Sequence, residues 1–335
     1  MGDMLSNVNW KRLIINTVFS LVIPVGIFFI FAVLTGGRTA TMAVFTATVR
    51  QSIVPILICY GLIINMSVGM INFSAGAMML CAGIIGGNLA RVTGTGVVGL
   101  ALFCLVLTVA MGAFTGFLYN KILVPSMILT IGMLLVWEGL PRFIFPSGVS
   151  VPTASTVLAS TPHIYVIFGM MVVAFHFLFN KTAFGHNLRA IGNNQAIAIS
   201  AGLDIDKIKL FSFISGSIFL GVAATLHIST VSTLRNVSSM GSMQIMMDGF
   251  MGMFMAMFLS KFANMSIAVV IGTFSMRMLT NGFVAMGLSS TARDIVQGLF
   301  LLVLLAISAN AGIFEKRRAD KEFAAEADKN YLQSA

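Results

Sequence analysis

The chain has 335 residues, of which 58% are hydrophobic and 9% charged, and its formal net charge is +9. A soluble domain carries about 25% charged residues, so this polar complement cannot cover even one such domain and the solvent must be lipid. The basic excess calls for no nucleic acid, because the lysines and arginines form no continuous stripe. Apolar runs near the length that crosses about 30 Å of hydrocarbon recur from end to end. Spans are predicted at 13–34, 51–68, 71–89, 97–119, 126–145, 163–180, 208–228, 241–260, 264–283 and 293–310. Lys11 and Arg12 precede a first run too long for a signal peptide, and no small-residue cleavage site follows, so span one is predicted to be retained. Gly36-Gly37 closes it. Pro55 falls inside span two, where neighbouring helices can satisfy the carbonyl it frees. Thr93-Gly94-Thr95-Gly96 turns the chain into span four, and Pro141 and Pro146 bend the end of span five. The stretch 146–162 is polar and rich in Pro, Ser and Thr. It reads as an external loop, either a solvated linker or a surface for a soluble partner.

Charge placement orients these spans. With the N-terminus inside, the inner segments hold thirteen of the 20 basic residues, including every lysine. The positive-inside rule then puts both termini in the cytoplasm. The expected fold is an all-α membrane protein of about ten transmembrane helices. Residues 1–12 form a cytoplasmic N-terminus, 13–310 the transmembrane domain, and 311–335 a charged cytoplasmic tail.

Two regions depart from plain membrane helix. Residues 65–76, NMSVGMINFSAG, put Asn65, Ser67, Asn72 and Ser74 at membrane depth, with Gly69 and Gly76 loosening the helix. This is a broken helix beside a path, as in other transporters, or a short cytoplasmic turn capped by Asn and Ser. The second region, 181–207, is the longest internal hydrophilic stretch. Ala196–Ala201 reads as a short helix, Gly202 as its C-cap, and Asp204 as a negative charge at the start of span seven. A short helix between two turns suits docking into a groove on another protein, though a plain connector is the simpler meaning.

The isolated polar groups suggest no catalytic centre. Cys59, Cys81 and Cys104 lie in apolar spans without metal or disulfide spacing, and the 24 methionines read as core filler. His163, His176, His186 and His227 lack a second ligand at zinc spacing. Glu138 and Arg142, at i and i+4 near the outer end of span five, are predicted to pair with each other, with a solute-contacting role as the alternative. Arg293 and Asp294 stand in the same interfacial way at the start of span ten. Arg277 sits deep in span nine, where a charge is costly. It either pairs with Asp248 or snorkels outward. No G-x-x-x-x-G-K-[ST] run occurs, so any ATP is expected on another chain.

The run FGHNLRAIGNNQAIAISAGLDIDKIKLFSFISGS resembles the cytoplasmic loop of the monosaccharide ABC permeases, the ribose permease group. Phe184, Gly185, Ala190, Ile191, Gly192, Asn194, Ala198, Ala201, Gly202 and Lys207 match its pattern. INFSAG at 71–76 is similar to the family's Ile-Asp-Leu-Ser-Val-Gly. Near the C-terminus, Asn281, Gly282, Gly287, Ser289 and Gly298 stand at matching positions. Branched-chain amino-acid permeases are more distant relatives. The resemblance implies a permease that pairs in the membrane, receives solute from an extracytoplasmic binding protein and docks cytoplasmic ATPases. In that scheme Phe184, Gly185, Arg189, Gly192, Asn193, Asn194, Ala198 and Gly202 couple to the ATPase, while Asn72, Ser74, Asp248 and Asn281 lie on the solute pathway. The chain itself would bind no cofactor and act as no enzyme, passing a monosaccharide, nucleoside or related solute across the bacterial inner membrane. Two departures stand out. Asn72 replaces an acidic residue, and the family's glycine-rich run after the Asp248 segment is replaced by GFMGMFMAMFLSKFANM. A heteromeric permease, with a partner that keeps the glycine run, is therefore expected. A secondary transporter or channel for a small polar solute, or a membrane enzyme, are the competing function classes.

Overall fold

The computed structural model describes residues 10–306 except 261, 290, 294, 301, 304 and 305, with side-chain surroundings from Ser20 onward apart from 153–155. The predicted N-terminal segment before Trp10, the tail 311–335, and residues 294, 301, 304, 305 and 307–310 of predicted span ten therefore lie outside the described residues. Two units are distinguished, Met1–Gly282 and Phe283–Ala335. The second holds the last residues of the helix that begins at Met265, followed by helical residues from Thr291.

The first unit is built from helices α1 (Trp10–Leu34), α2 (Met42–Met66), α3 (Ala75–Thr93), α4 (Gly96–Ile122), α5 (Ser126–Ile144) and α6 (His163–Lys181). Two short helices follow, α7 (Ala183–Asn193) and α8 (Gln195–Ser200), then α9 (Ile205–Val231), α10 (Met243–Leu259) and α11 (Met265–Ala285). Seven of these are long and apolar enough to cross a membrane, and Ser20–Leu34 and Met243–Leu259 are shorter apolar helices. Nine predicted spans thus fall on helices. Span two starts earlier than hydropathy suggested, because the polar turn at Thr46–Gln51 interrupts the apolar run without ending the helix. Its N-terminus is set by Thr41, whose Oγ1 accepts the Val44 N–H at 3.3 Å.

Burial is concentrated in α2, α3 and α9, whereas α4 and α6 expose most of their apolar side chains. Val98, Val106, Phe117, Val166 and Val173 are each more than half exposed, as expected where lipid replaces water. Lipid is as apolar as leucine, so helices must hold together by close packing and hydrogen bonds rather than by a hydrophobic drive. Small residues provide that closeness. Gly61 of α2 and Gly216 of α9 face each other, so that a Cβ on either would lie 2.9 Å from the carbonyl oxygen of the other. α4 meets α9 through Gly112 and Gly116, spaced as a GxxxG pair. Gly112 lies so close to Ser217 that no side chain fits between them. Around these crossings Tyr60 stacks on Phe175 with centroids 4.0 Å apart and donates its hydroxyl to the Ser266 carbonyl at 2.9 Å.

The loop 146–162 is not a free linker. Val149–Ser150 (β1) pairs antiparallel with Thr233–Leu234 (β2), in register Val149 with Leu234. Asn88 of α3 donates to the Gly148 carbonyl and Arg50 of α2 to the Ala159 carbonyl, at 3.0 and 2.8 Å. These contacts gather the ends of α2, α3, α5 and α9 on one face. On the opposite face Asn120 donates to the Asp206 carbonyl at 2.8 Å and Asn180 to Ser266 at 2.9 Å, bringing the ends of α4 and α6 to the starts of α9 and α11, beside α7 and α8.

Candidate functional site

The segment between α2 and α3 is a protein-covered turn joining the ends of two long helices, beside the start of α5. Residues 67–74 leave helical geometry, with Gly69 at φ +77°. The main-chain groups freed there are met by two hydroxyls at the start of α5. Ser126 Oγ accepts the Ile71 N–H at 3.2 Å, and Thr130 Oγ1 accepts the Phe73 N–H at 3.1 Å while donating to the Ile71 carbonyl at 3.2 Å. Irregular backbone shielded from water needs such partners. Asn72 and Ser74 are both buried. Asn72 Oδ1 accepts from the Ser74 N–H at 3.1 Å and from Ser74 Oγ at 2.7 Å, which is an Asx turn leading into α3. Both act here as turn formers, a task that Asn performs as well as Asp.

Asp248 and Arg277 do meet. Arg277 Nη1 lies 3.0 Å from Asp248 Oδ2, with the two side chains 25% and 37% exposed. The pair joins α10 to α11 beside Pro55 of α2, around a void of about 10 Å³ also lined by Thr273 and Thr280. That is about the volume one water occupies. Two groups in this neighbourhood, Arg277 Nε and Thr273 Oγ1, are buried without a hydrogen-bond partner. α10 and α11 approach closely here because Gly252 packs against Thr273, and a Cβ on Gly272 would lie 2.8 Å from the Ala256 nitrogen. One turn beyond Arg277, Asn281 Nδ2 donates to Thr48 Oγ1 at 2.9 Å and to Gln51 Oε1 at 3.2 Å. Asp248, Arg277, Asn281 and Gln51 thus form one polar strip along α2, α10 and α11. Asn72 and Ser74 are not part of it.

Glu138 and Arg142 do not pair with each other. Both reach across to the main chain that precedes α10. Glu138, 5% exposed, accepts the Met240 N–H on Oε2 at 3.1 Å and the Ser242 N–H on Oε1 at 2.8 Å. Arg142 Nη2 donates to the Val237 carbonyl at 2.7 Å. Spacing along one helix could suggest the ion pair, but main-chain donors a hundred residues away satisfy the carboxylate better than an exposed guanidinium.

The 181–207 stretch holds two helices where one was expected at 196–201. Thr182 caps α7 by accepting the Gly185 N–H at 3.1 Å, and Asn194 ends α7 and caps α8 through the Ile197 N–H at 3.1 Å. Gly202, at φ +81°, closes α8, and Asp204 caps α9 through the Lys207 N–H at 3.1 Å. Gly185 is pressed against the carbonyls that end α6, and Gly192 against the Ser67 carbonyl at the end of α2. Arg189 donates Nε to the Gly185 carbonyl at 3.2 Å and lies 5.5 Å over the Phe179 ring. Phe184 is half-buried, Asn193 is exposed, and buried Ala198 seats α8. The flanking Ile197 and Ile199 are 65% and 59% exposed. Beside α7 a polar cavity of about 440 Å³ is lined by Ser67, Asn180, Arg189, Asn193, Ser260 and Asn264. Sequence reading missed the Gly192–Ser67 contact and the cavity, since both join segments more than sixty residues apart.

Comparison with known proteins follows the same lines. The model of the family described as branched-chain amino acid transport system / permease component matches residues 44–305. The chain is 25% identical over 274 residues to the autoinducer 2 import system permease protein LsrC of Yersinia pseudotuberculosis serotype O:3 (strain YPIII), covering 79% of this chain and 77% of that one. It is 26% identical over 270 residues to LsrC of Yersinia enterocolitica serotype O:8 / biotype 1B, covering 78% and 74%. No solved structure matches the chain significantly. The chain therefore belongs to the branched-chain amino acid transport system / permease component family, as a divergent multi-pass ABC permease of the inner membrane.

Proposed function

We propose that this chain is the membrane half of an ATP-driven importer for a sugar-like solute, taking it from an extracytoplasmic binding protein and using an ATPase carried on a separate cytoplasmic chain. The observation that carries the reading is the α7–α8 pair. Two capped helices stand against the ends of α2 and α6 and present Ile197 and Ile199 to solvent. Exposed apolar side chains on an anchored helix are the mark of a docking surface. Gly185 and Gly192 put backbone against backbone, so a push on α7 passes directly to α6 and α2. On this reading the α7–α8 face is cytoplasmic, as are both termini of a ten-span chain.

The solute path is assigned to the strip on α2, α10 and α11. A half-exposed ion pair such as Asp248–Arg277 is too costly to face lipid, so that side faces an aqueous space or a second permease subunit. Asp248 and Asn281 offer the acceptors and donors that suit a hydroxylated, uncharged solute. The relatives' names point the same way, as import permeases for autoinducer 2. The second subunit is assigned to a different chain that retains the glycine-rich run missing after Asp248. The test is reconstitution with the cognate ATPase, second permease and binding protein, following labelled monosaccharides. Uptake that requires ATP is expected. Uptake driven by a proton or sodium gradient without the ATPase would overturn the assignment, and a complex with two copies of this chain alone would overturn the heteromeric pairing.

A further inference from the structure

Between β2 and α10 the chain runs for eight residues without regular structure, and its side-chain tethers come from α5 and the turn after it. Asn236 Nδ2 donates to the Phe145 and Pro146 carbonyls at 2.8 and 3.0 Å. Arg142 holds the Val237 carbonyl, and Glu138 holds the N–H groups of Met240 and Ser242. Ser239 and Met240 sit at φ +56° and +64°, a left-handed conformation that costs non-glycine residues energy and persists only where surroundings enforce it. Successive N–H groups turned this way form a concave nest for an anion, and the Glu138 carboxylate fills it. On the other side Gly76 at the start of α3 is pressed against the Ser242 carbonyl. The first turn of α10 is therefore held between a carboxylate on α5 and the backbone of α3. No side chain caps it, since the Ser242 hydroxyl makes no cap bond and is buried without a partner.

Asp248 stands six residues into α10, about 9 Å along the axis at 1.5 Å per residue. α10 is a short helix, and its far end leads at once into the turn that starts α11. Its axial position and rotation are set at the Ser242 end together with the packing of Gly249 on Ile58 of α2 and of Gly252 on Thr273 of α11. We propose that Glu138 is a positioning residue for transport: through the Met240 and Ser242 N–H groups it fixes α10 and so places Asp248 against Arg277 on the solute path. Glu138 touches no solute. Each of its oxygens accepts one main-chain N–H, and its charge balances the positive end of the α10 dipole. The same strap is continuous with the β1–β2 pair on the outer loop. A load on that loop is thereby transmitted to the helix that carries the ion pair. The inference rests on the assignment of Asp248 to the path.

Two readouts separate this role from a general loss of fold. First, spin labels are placed on Gln244→Cys of α10 and Ala47→Cys of α2, both exposed positions, in nanodiscs. Native Cys59, Cys81 and Cys104 are buried and are not expected to take label. Glu138→Gln, which sets an amide N–H against a backbone N–H, should shift or broaden the distance distribution. An unchanged distribution overturns the proposal. Second, in the reconstituted complex Glu138→Gln should lower uptake about tenfold, the effect of losing one hydrogen bond to a charged group. It should lower it no further in an Asp248→Asn background, because both changes then act through one contact. Losses that multiply would show that Glu138 acts independently of Asp248. If the wild-type complex imports nothing with ATP, the proposed function fails, and the spin-label distances still decide whether Glu138 positions α10.

Discussion

Helix association in this chain rests on glycine crossings, and the α2–α9 crossing offers a sharp test. Gly61→Ala places a methyl group 2.9 Å from the Gly216 carbonyl oxygen and 3.4 Å from Leu220 Cγ. The oxygen belongs to helix backbone and cannot rotate away, so the two helices must part by some tenths of an ångström. Overpacking of this kind costs about 1–3 kcal/mol, while alanine in place of a helical glycine returns up to about 1 kcal/mol. The net expectation is a loss of about 1 kcal/mol for Gly61→Ala and a similar loss for Gly216→Ala. The double variant should lose less than the sum, because the separation forced by one methyl makes room for the other. Gly169→Ala in α6 is the matched control. Nothing lies within 4 Å of its Cβ position, so only the favourable helix term remains and stability should hold or rise. The assay is thermal unfolding in one detergent, followed by a thiol-reactive fluorophore that reports exposure of the buried Cys59, Cys81 and Cys104. Equal melting temperatures for Gly61→Ala and Gly169→Ala would refute the claim that close backbone approach, rather than mere small size, places glycine at residue 61.

The ion pair predicts a different pattern. Asp248→Asn or Arg277→Gln alone should lower stability by about 1–3 kcal/mol, less than a fully buried pair because both groups are partly exposed. The double variant should recover part of that loss, and thermal unfolding showing simple additivity would exclude a direct pairing. At the α9 N-cap, the Lys207 ammonium and then the Lys207 N–H hold the Asp204 carboxyl below its usual range. A lowered carboxyl stabilises the fold above its unfolded value, near pH 4, and loses that contribution as pH falls through the folded value. Asp204→Asn keeps the cap bond and should flatten the acid limb of stability below about pH 4; an unchanged limb in a pH-scanned melt would contradict this. Ile197→Asp with Ile199→Asp should weaken co-purification of the ATPase while leaving the melting temperature unmoved, since both side chains face solvent. Undiminished binding would remove α8 from the docking surface.

Much of this architecture is legible in the chain because lipid enforces a simple code. Apolar length marks a span, and Gly36, Gly94 and Gly202 mark ends where the backbone turns left-handed. Capping chemistry is local, so Gly202 and Asp204 could be placed beside helix ends before any fold was known. The two-helix form of 183–200 was less visible. Asn194 interrupts an otherwise helix-compatible run by serving the next helix's N–H groups in place of its own, and composition reads such a hinge as part of one loop. Asn72 shows a subtler limit. Its position was legible and its charge difference from related sequences was plain, yet the turn needs one side-chain oxygen two residues before an N–H, which Asn and Asp supply equally.

Glu138 marks where sequence reasoning ends for a physical reason. A carboxylate at membrane depth must find partners, and the nearest cation on the same helix face is the economical guess. The actual donors are backbone N–H groups of Met240 and Ser242, which carry no residue identity and lie more than a hundred positions away. They converge on Glu138 only because Ser239 and Met240 adopt left-handed dihedrals, a conformation for which serine and methionine give no signal. Main-chain partners also remove the need for a complementary residue, so no paired charge could have betrayed the contact. The consequence is mechanical as well as interpretive. A side chain–side chain ion pair within α5 would have stiffened one helix, whereas a carboxylate bound to the entrance of α10 ties two helices that otherwise meet through α3. That bond lets a single residue of α5 govern where Asp248 stands.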